Sequence, residues 1–147
     1  MTNPTLEIFK SYIGKRLAER SPSPISKWLD GTLVAVEHGS LTVEFVVQKE
    51  MCNPAHILHG GVAATMLDDI IGMTIFSMGH TVFYSTVNLS VDYLFSAKIG
   101  EKLTVKSKII RVGKKIAHAE GEIRNEDGHY IAKCSTNLVA TSNTIKS

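Results

Sequence analysis

The sequence predicts an α+β domain in which one antiparallel sheet wraps a single long helix. Three observations carry that expectation. An apolar stretch from Gly60 to Phe76 has the length of a helix and no proline. Runs rich in β-branched and aromatic residues flank it, two before and three or four after. Tight-turn signals separate these runs, His38-Gly39-Ser40 ahead of the helix and Asn125-Glu126-Asp127-Gly128 behind it.

The elements follow in chain order. Thr5 to Ala18 spaces Leu6, Phe9, Ile13 and Leu17 at helical steps, which predicts an N-terminal helix. Ser21-Pro22-Ser23-Pro24 breaks that period and reads as a linker, so residues 1–24 precede one domain, residues 25–147. Thr32 to Glu37 and Leu41 to Val47 form a hairpin around Gly39, and Gln48 to Leu58, with Asn53 and Pro54, reads as a loop. Gly60 to Phe76 is apolar on nearly all sides and is expected to be buried, with Gly79 as its stop. Strands are then expected over Val82–Leu94, around Leu103, Val105 and Ile109, over Ile116–Ile123 and over Tyr130–Ala140.

Composition narrows the function. The 147 residues, 44% of them hydrophobic, fit one folded domain, small enough that assembly with a second copy is favourable. A net charge of +2 argues against a nucleic-acid or anionic-membrane partner. Cys52 and Cys134 form no CxxC pair, which argues against a zinc ribbon or redox motif and fits a reducing compartment. Glu7, Lys10, Lys15 and Arg16 interrupt the N-terminal apolar residues, so no signal peptide is expected. Asp68 and Asp69 sit mid-helix, which argues against a membrane span. The expected location is cytoplasmic.

The chemistry concentrates in Asn53-Pro54-Ala55-His56-Ile57-Leu58-His59-Gly60-Gly61 and in the two aspartates downstream. The first turn of a helix carries amides without intrahelical acceptors, glycines let a ligand oxygen approach them, and the helix dipole adds positive potential. That combination polarises a carbonyl. Asp68 shares a stripe with Gly61, Thr65 and Gly72, a face of small and polar residues suited to a cleft. Asp69 falls on the stripe of Val62, Met66, Met73 and Phe76, where a structural hydrogen bond is the expected role. Gly60 and Asp68 are separated by about 12 Å along a helix, so one small carbonyl cannot touch both from the same chain. If both act on one substrate, they come from two protomers with facing helices.

These residues carry a resemblance. His59-Gly60-Gly61 followed by Asp68, with Asn53 upstream, is similar to the PaaI-like hotdog-fold acyl-CoA thioesterases, as are Thr86-Val87-Asn88-Leu89 through Val91-Asp92-Tyr93-Leu94 and Ala97-Lys98-Ile99-Gly100-Glu101. The likeness spans roughly residues 30–141 in the family's order. It implies the hotdog fold, a homodimer with the active site at its interface, and often a homotetramer. It implies that Asp68 acts as general base or nucleophile and that the Gly60 amide of the partner chain polarises the thioester. His59 and Asn53 would shape the pocket, and Thr86, with Ser85 beside it, would position water or the carboxylate. Asp69 is a departure, a second carboxylate where many relatives have another residue.

The implied substrate is the thioester of a small aryl or medium-chain acyl-CoA. It needs no cofactor and no metal, since coenzyme A is part of the substrate and a thioester is already activated. Lys98, Lys102, Lys106, Lys108, Arg111, Lys114 and Lys115, opposed by Glu101 alone, give a local charge of +6. Arg111, Gly113, Lys114 and Lys115 are the candidates for the phosphates, with Gly61 near the thioester; the strand lysines also fit a solvated face. Three alternatives stand beside this reading. Cys52, His56 and His59 have ligand-like spacing for zinc. A dehydratase or hydratase would also use a His and a carboxylate. A non-catalytic module would bind acyl-CoA, with Met51, Met66, Met73, Met78 and Phe76 as pocket or as core.

Overall fold

The computed structural model describes residues 2–144; residue 1 and residues 145–147, the outer ends of the two predicted segments, lie outside the described residues. Three short helices come first, α1 (Pro4–Ser11), α2 (Leu17–Arg20) and α3 (Pro24–Leu29). Strands β1 (Thr32–Glu37) and β2 (Ser40–Val46) follow, then a 3-10 turn at Lys49–Met51 and the long helix α4 (Gly60–Ser77). Strands β3 (Val82–Tyr93), β4 (Lys102–Val112), β5 (Ile116–Asn125) and β6 (Tyr130–Thr144) complete the chain.

The six strands form one antiparallel sheet in the order β1-β2-β4-β5-β6-β3. The chain leaves β2, runs through α4, lays β3 on the far edge and returns to place β4 beside β2. The sheet therefore closes around α4. Met66, Leu67, Ile70, Ile71 and Ile75 of the helix are buried against Leu103 and Val105 of β4, Ala117, Ala119 and Ile123 of β5, and Ala132 and Leu138 of β6. Small residues on β5 set the approach. A Cβ on Gly121 would stand 2.9 Å from Leu67 Cδ2 and 3.0 Å from Cys134 Sγ. Thr74 and Ser107, both buried, share a 2.6 Å hydroxyl contact that ties α4 to β4.

The N-terminal expectation is corrected. No single helix spans 5–18, and the supposed linker contains a helix start. Asn3 caps α1 by accepting from the Leu6 amide at 3.2 Å, with Pro4 at the first helical position. The chain then turns through Gly14, at φ +87°, whose amide donates to the Leu33 carbonyl at 2.7 Å. Leu17 donates to Gly31 in the same way, at 2.8 Å. The apolar residues keep a helical period, but the backbone between them pairs with the entry to β1. Ser23 caps α3, and Pro24 is its first residue. Phe9 lies edge-on to Phe76 at 6.1 Å, which docks α1 on the end of α4.

Burial of α4 is also less complete than its composition predicts. Gly61 is exposed, and Thr65, Asp68 and Gly72 are only half-buried, so the small and polar stripe faces out of the subunit.

Candidate active site

The loop before α4 delivers its first turn. Asn53 Oδ1 accepts from the amides of Ala55 at 2.9 Å and Ile57 at 3.4 Å, and its carbonyl accepts from His56, which sits at φ +62°. The His59 amide donates to the Met51 carbonyl at 2.8 Å. Asn53 thus spends its side-chain oxygen on loop shape.

His59 is the N-cap of α4. Its Nδ1 accepts from the Gly61 amide at 2.9 Å, and its carbonyl accepts from Val62 at 3.0 Å and Ala63 at 3.1 Å. Among the described residues the Gly60 amide has no acceptor. It is the one first-turn donor left over. The Gly60 carbonyl accepts from Tyr93 Oη at 2.8 Å. A Cβ at position 60 would meet the Tyr93 ring at 3.2–3.3 Å, so glycine serves a close approach here. Tyr93 stands in the Val91-Asp92-Tyr93-Leu94 stretch that carries the family resemblance, but nothing in the sequence signalled its contact with Gly60.

Asp68 lies two turns further along, half-buried, and its Oδ1 accepts from Thr86 Oγ1 at 2.7 Å. Thr86 pairs with Leu138 on the helix-facing side of the sheet, so adjacent Ser85 points to the other face. Asp69 turns away. Its Oδ2 accepts from Ser26 Oγ of α3 at 2.7 Å. Burial pushes the Asp69 pKa up, the Ser26 hydrogen bond offsets part of this, and the Asp68 charge adds to it.

The two groups sit at opposite ends of β3. Asp68 is tied to Thr86 near its start, and Gly60 to Tyr93 at its last residue. Arg111, Gly113, Lys114 and Lys115 form the β4–β5 hairpin, where Val112, Ala117, Leu138 and Thr86 share one register row. The hairpin therefore stands at the Asp68 end of the sheet. Its three cations are exposed and make no ion pair among the described residues. At the Gly60 end lies an apolar cleft of about 370 Å³, walled by Ile57, Leu58, Ala63, Tyr93, Leu94 and Ile131. A larger hollow of about 470 Å³ lies on the opposite sheet face among Lys106, Lys108, Glu120, Glu122 and Lys133. Its alternating charges, far from the α4 face, make it a solvated surface. Cys52 Sγ approaches the Gln48 carbonyl at 3.5 Å, and among the described residues no three His, Cys, Asp or Glu side chains are grouped to hold a metal. Among the described residues no helix is long and apolar enough to cross a membrane.

A sequence profile of the thioesterase superfamily matches residues 55–132, which contain the end of the loop, α4, β3 through β5 and the start of β6. The chain belongs to the thioesterase superfamily. The chain shares 28% identity with human acyl-coenzyme A thioesterase 13 over 126 residues, 86% of each chain. It shares 35% with the medium/long-chain acyl-CoA thioesterase YigI of Escherichia coli K12 over 95 residues, 54% of this chain and 59% of that one. Its fold superposes on the Escherichia coli PaaI protein with a TM-score of 0.83 at 18% identity, covering 99% of this chain and 100% of the other. A Streptococcus mutans protein whose structure holds acetyl-CoA aligns with a TM-score of 0.73 at 24% identity, over 80% and 92% of the two chains. The expected hotdog architecture is therefore the observed one.

Proposed function

We propose that the protein hydrolyses acyl-CoA thioesters, of small aryl or medium-chain acids, at a site shared by two copies of the chain. The observation that carries this reading is the unspent Gly60 amide at one end of β3 and the Thr86-oriented Asp68 at the other. β3 is an edge strand with no neighbour on its outer side among the described residues, and Phe83, Val87 and Tyr93 are more than half exposed along it. Antiparallel pairing of two β3 edges about a twofold axis would bring the Thr86 end of each against the Tyr93 end of the other. Each Asp68 would then face the other protomer's Gly60.

The chemistry follows from those positions. The Gly60 amide donates to the thioester carbonyl oxygen and stabilises the oxyanion that forms as the carbon becomes tetrahedral. Asp68, with Oδ1 held by Thr86, takes a proton from an attacking water through its other oxygen. Collapse breaks the carbon–sulfur bond, and the proton passes to the leaving CoA thiolate. In the covalent variant Asp68 attacks the carbon itself, and water cleaves the anhydride. Arg111, Lys114 and Lys115 supply cations for the CoA phosphates at the Asp68 end. The names of the human and bacterial relatives support the substrate class.

The test is thiol release across a panel of acyl-CoAs, with wild type beside Asp68→Asn. Release by wild type and its near loss in the variant support the reading. Binding without release would make the protein an acyl-CoA binding module, and turnover of enoyl-CoA without thiol would make it a hydratase.

A further inference from the structure

Between Thr86 and Asn88, β3 carries one residue more than its pairing needs. Thr86 stands opposite Leu138 and Asn88 opposite Asn137, so Val87 is the extra residue of a β-bulge. The bulge decides which way Thr86 points. Leu89 and Val91 pack against the core, which fixes the helix-facing side of the second half of the strand. Strict alternation from them would turn Val87 to that side and Thr86 to the outer face. The extra residue resets the alternation. Thr86 meets Asp68 on the helix side, and Val87 is left 60% exposed. Asp68 therefore owes its hydroxyl partner to an irregularity in the strand.

Side chains hold the bulge in place. The Asn88 carbonyl accepts from Thr136 Oγ1 at 2.7 Å. Asn88 Oδ1 accepts from the Asn137 amide at 3.3 Å and from Asn137 Nδ2 at 3.0 Å. With Nδ2 donating, Asn137 Oδ1 is left as an acceptor, so His118 Nδ1 is the donor in their 2.8 Å contact. Hydrogen bonds thus run one way, from His118 through Asn137 to Asn88, along a single register row of β5, β6 and β3. Asn137 lies between buried Thr136 and Leu138, and His118 between buried Ala117 and Ala119, so the row is on the outer face of the sheet, away from α4. We propose that Asn88 is a positioning residue for hydrolysis: anchored by Asn137 and His118, it pins the bulge and so aims Thr86 at Asp68. This rests on the hydrolase reading above and adds to it a residue that touches neither substrate nor base.

The experiment is a double-mutant cycle between Asn88 and Thr86, read in kcat and KM. Asn88→Leu removes the acceptor at similar size and is expected to lower kcat about three- to tenfold, with KM near wild type. Asn88→Asp keeps an acceptor and is expected to bring kcat back to within about twofold of wild type. Asn137→Leu breaks the same chain from β6, away from the exposed β3 edge, and should act in the same direction. Added to Thr86→Val, Asn88→Leu should cost nothing more, because the hydroxyl that it aims is already gone. A further loss in the double variant as large as that of Asn88→Leu alone would make Asn88 a general support of the strand and overturn the proposal. An unchanged kcat in Asn88→Leu, or a rise in KM alone, would do the same. The carboxyl carbon resonance of Asp68 in NMR, identified by its loss in Asp68→Asn, gives a readout without turnover. It should move alike in Thr86→Val and Asn88→Leu and return in Asn88→Asp; a resonance unmoved by Asn88→Leu overturns the proposal. Absence of thiol release by wild type would overturn the hydrolase reading alone, and the resonance would then decide whether Asn88 aims Thr86.

Discussion

Thr86 Oγ1 donates to Asp68 Oδ1 at 2.7 Å, joining a carboxylate on the central helix to a hydroxyl on the edge strand. The contact fixes which oxygen of Asp68 is engaged and which stays available. It also sets a hierarchy of mutational effects. Asp68→Asn removes the proposed base and is expected to lower kcat about 10²- to 10⁴-fold. Thr86→Val keeps the base and loses its orientation, with a loss of about tenfold in kcat. Steady-state kinetics on one acyl-CoA checks the order; equal loss in both variants would contradict the assigned roles.

Tyr93 is expected to act through Gly60. Tyr93→Phe keeps the ring that packs against residue 60 and removes the hydrogen bond to its carbonyl. The predicted effect is a fall of about three- to tenfold in kcat, with KM and Tm near wild type. A rise in KM alone would assign Tyr93 to substrate binding.

Asp69 should be dispensable for turnover. Its folded pKa is raised, chiefly by burial, so the native state holds the proton more tightly than the unfolded chain does. Stability therefore falls as pH rises from the ordinary value of 3.8 through the raised one. Asp69→Asn keeps an acceptor for Ser26 and sheds that charge. Thermal unfolding should show a higher Tm at pH 7, a gain that vanishes in acid, and thiol release close to wild type.

His80 gives the opposite dependence. Among the described residues its buried Nε2 has no hydrogen-bond partner, and its ring lies 5.2 Å from that of Tyr84. Burial first, then the nearby His38, lowers its pKa from 6.5. The unfolded state binds the proton more readily, so stability is lost as pH falls below about 6.5 through the lowered value. His80→Phe should flatten the Tm profile over that range; an unchanged slope would assign it to other groups.

What the sequence disclosed follows from local physics. The hairpin around Gly39, the long helix and the later strands were legible because apolar period and turn chemistry act over a few residues. The stripe of Gly61, Thr65, Asp68 and Gly72 marked the open face of α4, and its divergence from Asp69 separated the two carboxylates. The N-terminal segment misled. Leu6, Phe9 and Leu17 keep a helical period because each packs against the same core, while Gly14 and Leu17 give their amides to Leu33 and Gly31. Such long-range backbone pairing leaves no local trace. Tyr93 was illegible for a related reason, since its partner lies 33 residues away in the chain.

The central claim is a site divided between two chains, and mixed dimers test it most directly. Gly60→Pro removes the free amide at the first helical position, where the backbone suits proline but the Tyr93 ring, 3.2–3.3 Å from an added Cβ, must shift, and Asp68→Asn removes the proposed base. Each variant alone should be inactive. Unfolded and refolded together in equal amounts, they should regain about a quarter of wild-type activity, because half the dimers would then carry one intact site. No recovery, with heterodimers verified by mass spectrometry, would place both groups in a single chain and contradict the account.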